Sequence, residues 1–123
     1  MSKKTVMVVD DESAICKVVE DILAPEGYKV ISAFSGGEAL QKLKKEKPDG
    51  ILIDFFMPGM SGRELCEKIR TDAKLKHLKI LFITAASFSA SGMKEFEKLN
   101  VLDYIKKPFD YKDLIHRVKN IIG

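Results

Sequence analysis

The sequence predicts a doubly wound α/β fold: a five-stranded parallel sheet with helices on both faces. Three observations carry that expectation. Apolar, β-branched runs recur at 5–9, 28–32, 49–53, 79–83 and 101–105. Amphipathic segments long enough to be helices separate them, so each connection must cross back over the sheet before the next strand begins. The runs at 6–9, 51–53 and 80–83 contain no polar residue, which is the pattern of strands covered on both faces.

Each element has its own signal. Val6-Met7-Val8-Val9 ends on Asp10-Asp11, and the first helix follows with a stripe of Ile15, Val18, Val19, Ile22 and Leu23. After the second strand, Ser35-Gly36-Gly37-Glu38 opens a helix with the Ser and Glu spacing of a capping box. Gly50-Ile51-Leu52-Ile53 ends on Asp54, and Ser61-Gly62-Arg63-Glu64 repeats the box at the third helix. Ile80-Leu81-Phe82-Ile83 ends on Thr84. The fourth helix is the weakest, because Ser87, Ser89, Ser91 and Gly92 crowd its start and only Met93, Phe96 and Leu99 mark a buried face; local mobility is expected there. Val101-Leu102-Asp103-Tyr104-Ile105 leads to Lys107-Pro108. Asp110 then caps a last helix whose stripe is Leu114, Val118, Ile121 and Ile122.

At 123 residues and 46% hydrophobic content the chain suffices for one core, so residues 1–123 are expected to form a single domain. No linker-like stretch flanks it, and a complete domain is the expectation. The net charge of +3 is spread among acids, and the densest basic cluster, Lys42 to Lys47, is broken by Leu43 and Glu46. That is a solvated helix face, not a direct nucleic-acid stripe. Cys16 and Cys66 form no CxxC pair, which fits a reduced, cytoplasmic protein. No apolar run reaches membrane-spanning length and no signal-peptide core appears. A dinucleotide-binding reading fails for want of GxGxxG after the first strand.

Four strand runs stop on, or close to, a chemically useful side chain, and a parallel sheet gathers those ends into one crevice. Taken singly, Asp11 is a helix cap, Thr84 a strand threonine, Lys107 a solvated lysine and Tyr104 a half-exposed strand aromatic. Together they are harder to dismiss. Two unit charges roughly 4 Å apart at an effective dielectric of about 20 repel by about 4 kcal/mol, so Asp10-Asp11 favours a cation between its carboxylates. Asp54 adds a third carboxylate if its strand lies beside the first, as in the 2-1-3-4-5 order of flavodoxin-like sheets. Mg²⁺ suits carboxylates, waters and phosphoryl oxygens; zinc does not, since His77 and His116 lie outside the four motifs. Pro108 restrains Lys107 to extended geometry and permits a cis bond that aims its side chain inward.

Val8-Val9-Asp10-Asp11-Glu12, Ile53 to Gly62, Thr84-Ala85 and Tyr104-Ile105-Lys106-Lys107-Pro108-Phe109 resemble the receiver domain of response regulators, the CheY-like family. The resemblance covers essentially the whole chain. It implies that Asp54 is a phosphoacceptor taking its group from a phosphohistidine on a sensor histidine kinase or a histidine phosphotransfer domain. Asp11, Asp54 and the backbone carbonyl of Phe56 would bind Mg²⁺ directly, and Asp10 through water. Lys107 would pair with Asp54, and Thr84 would donate to a phosphoryl oxygen. Tyr104 would then follow Thr84 and remodel the face of the fourth helix, fifth strand and fifth helix, which a downstream protein or effector domain reads. No metabolite is turned over, so the chain is not expected to be an enzyme in that sense.

Phe56 and Ala86 are apolar where many relatives carry polar side chains that orient hydrolytic water, and slow self-dephosphorylation is expected. Two other readings are weighed. A receiver-like interaction module controlled by binding alone is opposed by the intact Asp54, Thr84 and Lys107. A phosphatase resembling the haloacid dehalogenases requires Asp-x-Asp after the first strand, whereas the chain reads Asp10-Asp11-Glu12-Ser13.

Overall fold

The computed structural model describes residues 3–85 and 88–123. Five parallel strands, β1 (Lys4–Val9), β2 (Tyr28–Ala33), β3 (Gly50–Asp54), β4 (Lys79–Thr84) and β5 (Val101–Lys106), lie in the order β2-β1-β3-β4-β5. Among the described residues five α-helices connect and close them: α1 (Ser13–Leu23), α2 (Gly36–Leu43), α3 (Gly62–Thr71), α4 (Ala90–Lys98) and α5 (Tyr111–Ile122). The expected doubly wound α/β sheet, flavodoxin-like in its strand order, is therefore the observed one.

Strand alternation divides the core. Val6 and Val8, Leu52, and Leu81 and Ile83 face Cys16, Val19 and Leu23 of α1 and Leu114, Val118 and Ile122 of α5. Met7 and Val9, Ile51 and Ile53, and Ile80 and Phe82 face Ala39, Leu65, Ile69 and Phe96 of α2, α3 and α4. Both faces are thus covered, which is why the stretches 6–9, 51–53 and 80–83 are apolar throughout.

Two helical stripes differ from expectation. In α1 it is Cys16 that sits against the sheet, whereas Val18 is exposed and Ile15 and Ile22 pack at the edge. A 3.6-residue period through Val19 and Leu23 returns to Cys16, not to Val18. In α4, Phe96 alone of the expected stripe is fully buried; Met93 faces solvent and Leu99 lies at the margin. Ser87 and Ala86 lie outside the described residues.

The helix starts follow their caps. Ser61 and Glu64 form a complete capping box on α3. On α2 the Ser35 hydroxyl accepts from the Glu38 N–H, but Glu38 reaches back to the N–H of Phe34 at 2.6 Å, one residue beyond the expected partner. The Asp110 carboxylate accepts from Lys112 N–H at α5. Asp11 does not cap α1, whose N-cap is Glu12 with no side-chain bond. Among the described residues no helix is long and apolar enough to cross a membrane.

Candidate functional site

The sheet register builds the site. Val9 lies opposite Ile53, so the residues that follow them, Asp10 and Asp54, stand side by side. β3 and β4 each run one residue past the expected end: Asp54 pairs with Ile83, and Thr84 pairs with Lys106. Asp54 and Thr84 are therefore held inside the ladder, where the backbone cannot drift.

Asp10 is 0% and Asp54 4% exposed, while Asp11 turns outward. One carboxylate oxygen from each of the three lies within 4.8 Å of the others. A donor set of carboxylate oxygens without His or Cys is the chemistry of a hard divalent cation such as Mg²⁺, so these residues fit that ion. Thr84 is wholly buried, beneath the rim instead of on it.

Lys107 follows β5, joined to Pro108 by a cis bond, and its N–H donates to the Thr84 carbonyl at 2.7 Å. Its ammonium donates to Asp10 Oδ2 at 2.8 Å and stands 3.5 Å from Asp54 Oδ2. In this arrangement Asp10 is the nearer partner, although the sequence resemblance pointed to Asp54. The other oxygen of Asp10 accepts from the Glu12 N–H at 2.9 Å, so both oxygens of Asp10 already hold a donor. Among the described residues Asp54 Oδ1 has only a longer bond, from the Phe56 N–H at 3.3 Å.

Burial, and then the charge of Asp10, pushes the Asp54 carboxyl up from 3.8 to about 6, against the opposing pull of Lys107 and the Phe56 N–H. Burial alone would lower Lys107; its bond to Asp10 and the charges of Asp10, Asp54 and Glu12 outweigh that and hold it above its ordinary value. The site thus concentrates negative charge around one lysine.

The loop after Asp54 is shaped by Gly62. A Cβ there would lie 2.3 Å from the Asp54 carbonyl oxygen and 2.7 Å from the Phe55 Cα, and the Gly62 N–H donates to the Phe55 carbonyl. Only glycine lets the start of α3 approach the end of β3 so closely.

Phe56 stands 58% exposed beside the acids, edge-on to Phe55. Phe55 in turn packs edge-on against Phe82 and Phe88, and Phe88 packs against Phe96 and Tyr104 at 4.7 and 5.5 Å between centroids. Tyr104 is half-buried at the far end of this aromatic chain. The sequence reading named Tyr104 but missed the ring contacts that link it through Phe88 to Phe55. Phe88 sits among serines with no periodicity to mark it, and only the packing of β4, α4 and β5 brings the rings together. His77 and His116 are exposed. Cys16 is buried with its Sγ 3.6 Å from the Asp10 carbonyl, and burial, reinforced by the Asp10 charge, pushes its thiol up to about 11, outside the reactive range.

The profile of the response regulator receiver domain matches residues 6–119. A curated relative, ycf27 of Porphyridium aerugineum, named as a transcriptional regulator, is 33% identical over 122 residues, which are 99% of this chain and 49% of that protein. The chain therefore spans about half the length of that relative. Chemotaxis protein CheY4 of Vibrio cholerae superposes with a TM-score of 0.91 at 30% identity, covering 98% of this chain and 99% of that one. Response regulator TrrA of Thermotoga maritima, solved in complex with Mg²⁺-BeF, gives 0.82 at 35% identity, covering 95% and 97%. Sequence and fold agree along nearly the entire length, and the chain belongs to the response regulator receiver domain family of two-component signalling.

Proposed function

We propose that residues 1–123 act as a phosphorylated receiver in which Asp54 accepts a phosphoryl group from a phosphohistidine on a sensor histidine kinase or histidine phosphotransfer domain. The observation that carries this reading is the Asp54 carboxylate itself: at the end of β3, within reach of two further carboxylates and 3.5 Å from the Lys107 ammonium, yet with no short hydrogen bond engaging it among the described residues. An Asp54 oxygen attacks phosphorus as the phosphorus–nitrogen bond breaks, and the imidazole leaves, taking up a proton from solvent. Asp54 is a weak nucleophile held in position, so the rate comes from placement and charge compensation.

Asp11 and Asp54 would hold Mg²⁺, with the Phe56 carbonyl, and with Asp10 through water; when bound, the ion offsets the charge that gathers on the phosphoryl oxygens. Lys107 stays anchored on Asp10 and turns its remaining protons toward the transferred group. Thr84, buried beside it, donates its hydroxyl to a second oxygen. The new charge of about −1.5 to −2 draws Thr84 inward and biases Tyr104 against Phe88 and Phe96, altering the α4-β5-α5 face that a downstream protein or effector domain reads. Phe56 offers no hydrogen bond to a water approaching Asp54, so the phosphoryl group is retained. The chain turns over no metabolite and works in the cytoplasm, with neither nucleic acid nor membrane as a direct partner.

Incubation with Mg²⁺ and acetyl phosphate, followed by intact mass spectrometry, tests the assignment. A single phosphoryl adduct is expected in the native chain and none in Asp54→Asn. An adduct that persists in Asp54→Asn rules Asp54 out.

A further inference from the structure

The strand ends opposite the acidic site form a second feature of the molecule. β3 and β4 are five and six residues long, and their paired first residues, Gly50 and Lys79, lie at this end, about 13 Å from Asp54. Here the C-terminal ends of α2 and α3 and the loops that follow them enclose a groove of about 1470 Å³.

Lys44, Lys47, Lys68, Lys74 and Lys79 line it, all exposed, and among the described residues none of the five is in an ion pair. Two aspartates share the groove and both are occupied. Asp49 Oδ2 accepts from the Thr5 N–H at 2.7 Å, and Asp72 Oδ1 from the Lys74 N–H at 2.8 Å. Five lysines against two aspartates leave three positive charges, as many as the net charge of the whole chain. Between the lysines the floor is apolar, made by the half-buried side chains of Leu40, Leu75 and Leu78, which rest on the α2/α3 side of the core.

We infer that this groove is a docking surface for an acidic amphipathic helix of a partner protein, with apolar anchors on the leucine floor and carboxylates on the lysine rim. Both halves of the surface are needed for that choice. Unpaired lysines flanking apolar side chains complement a helix that carries leucines on one face and glutamates beside them. Nucleic acid fits less well. The described lining residues include no Phe, Tyr or Trp on which bases could stack and no Arg to fork a phosphate, and both aspartates repel the backbone.

Fluorescence anisotropy with a labelled 16-residue helical peptide of Leu at i, i+3, i+4 and i+7 spacing, with Glu elsewhere, tests the surface. Saturable binding weakened by salt is expected, lost when the leucines are replaced by serine, and about tenfold weaker for the exposed triple variant Lys68→Glu, Lys74→Glu, Lys79→Glu. The variant's melting temperature, checked alongside, is expected to be unchanged, and its acetyl phosphate labelling of Asp54 intact, since the groove lies at the far end of the sheet. The inference is overturned if the native chain shows no saturation by about 1 mM peptide. It is equally overturned if the serine peptide or a single-stranded DNA 16-mer binds as tightly as the leucine peptide, or if the triple variant binds the leucine peptide unchanged. Adduct formation on Asp54 is read separately, so failure here leaves the phosphorylation reading standing and the converse also holds.

Discussion

Asp54 shows what burial does to a single carboxylate. Its folded value of about 6 lies above the ordinary 3.8, so ionisation is easier in the unfolded chain than in the folded one. The favourable contribution of the neutral form is complete below the unfolded value and disappears as pH rises through about 6; above that, ionised Asp54 burdens the metal-free fold. Asp54→Asn removes the burden. In chelator at pH 8 the variant is expected to be more stable by about 1–3 kcal/mol in urea melts, the gain vanishing near pH 4. A constant difference across that range would show that Asp54 is not the titrating group. Asp54 was legible because it stood at the end of an apolar run. That Lys107 lies nearer Asp10 was not, because the choice between carboxylates 2.8 and 3.5 Å away depends on where β1 and β3 place them.

At the scale of elements, caps read well and faces less well. The Ser61 and Glu64 box forms because it needs only residues within one turn. The Glu38 partner moved to Phe34, whose N–H at the β2 end is placed by the sheet. Cys16 replaced Val18 on the inner face of α1 because helix rotation is decided by what the sheet offers, and a small thiol packs against β1 and β2 as an apolar residue does. The β3–α3 junction carries a prediction of its own. Gly62→Ala forces a methyl group into backbone atoms of Asp54 and Phe55, which cannot rotate away as a side chain would. A loss of about 2–4 kcal/mol in stability is expected, with acetyl phosphate labelling of Asp54 slowed because the Asp54 carbonyl must shift. Native-like labelling would mean that the junction has slack.

Across the whole molecule, charge is segregated along the strand axis. The C-terminal strand ends gather Asp10, Asp11 and Asp54, and the N-terminal ends gather unpaired lysines. Mutually repelling carboxylates make the acidic end the place where a cation adds most stability. A ligand that binds the folded chain alone shifts unfolding by mass action. Mg²⁺ is expected to raise the melting temperature by several degrees in a domain of this size, and Asp11→Asn to abolish that rise. If Asp11→Asn melts with the same Mg²⁺ dependence as the native chain, Asp11 is not a ligand.

The strand order 2-1-3-4-5 was expected only by likeness to flavodoxin-like sheets; what the sequence by itself determined is the alternation of strands and helices and the residues that stand at the strand ends. Those follow from local hydrophobic periodicity and from the geometry of parallel crossovers, which need no knowledge of distant contacts. The tertiary structure alone decided which carboxylate holds Lys107, which face α1 buries, how Phe88 links Phe55 to Tyr104, and that five separated lysines border one apolar groove. Each of these joins residues far apart in the chain, and such pairings are set by how layers pack, where a rotation of one helix or a step in register changes the neighbour.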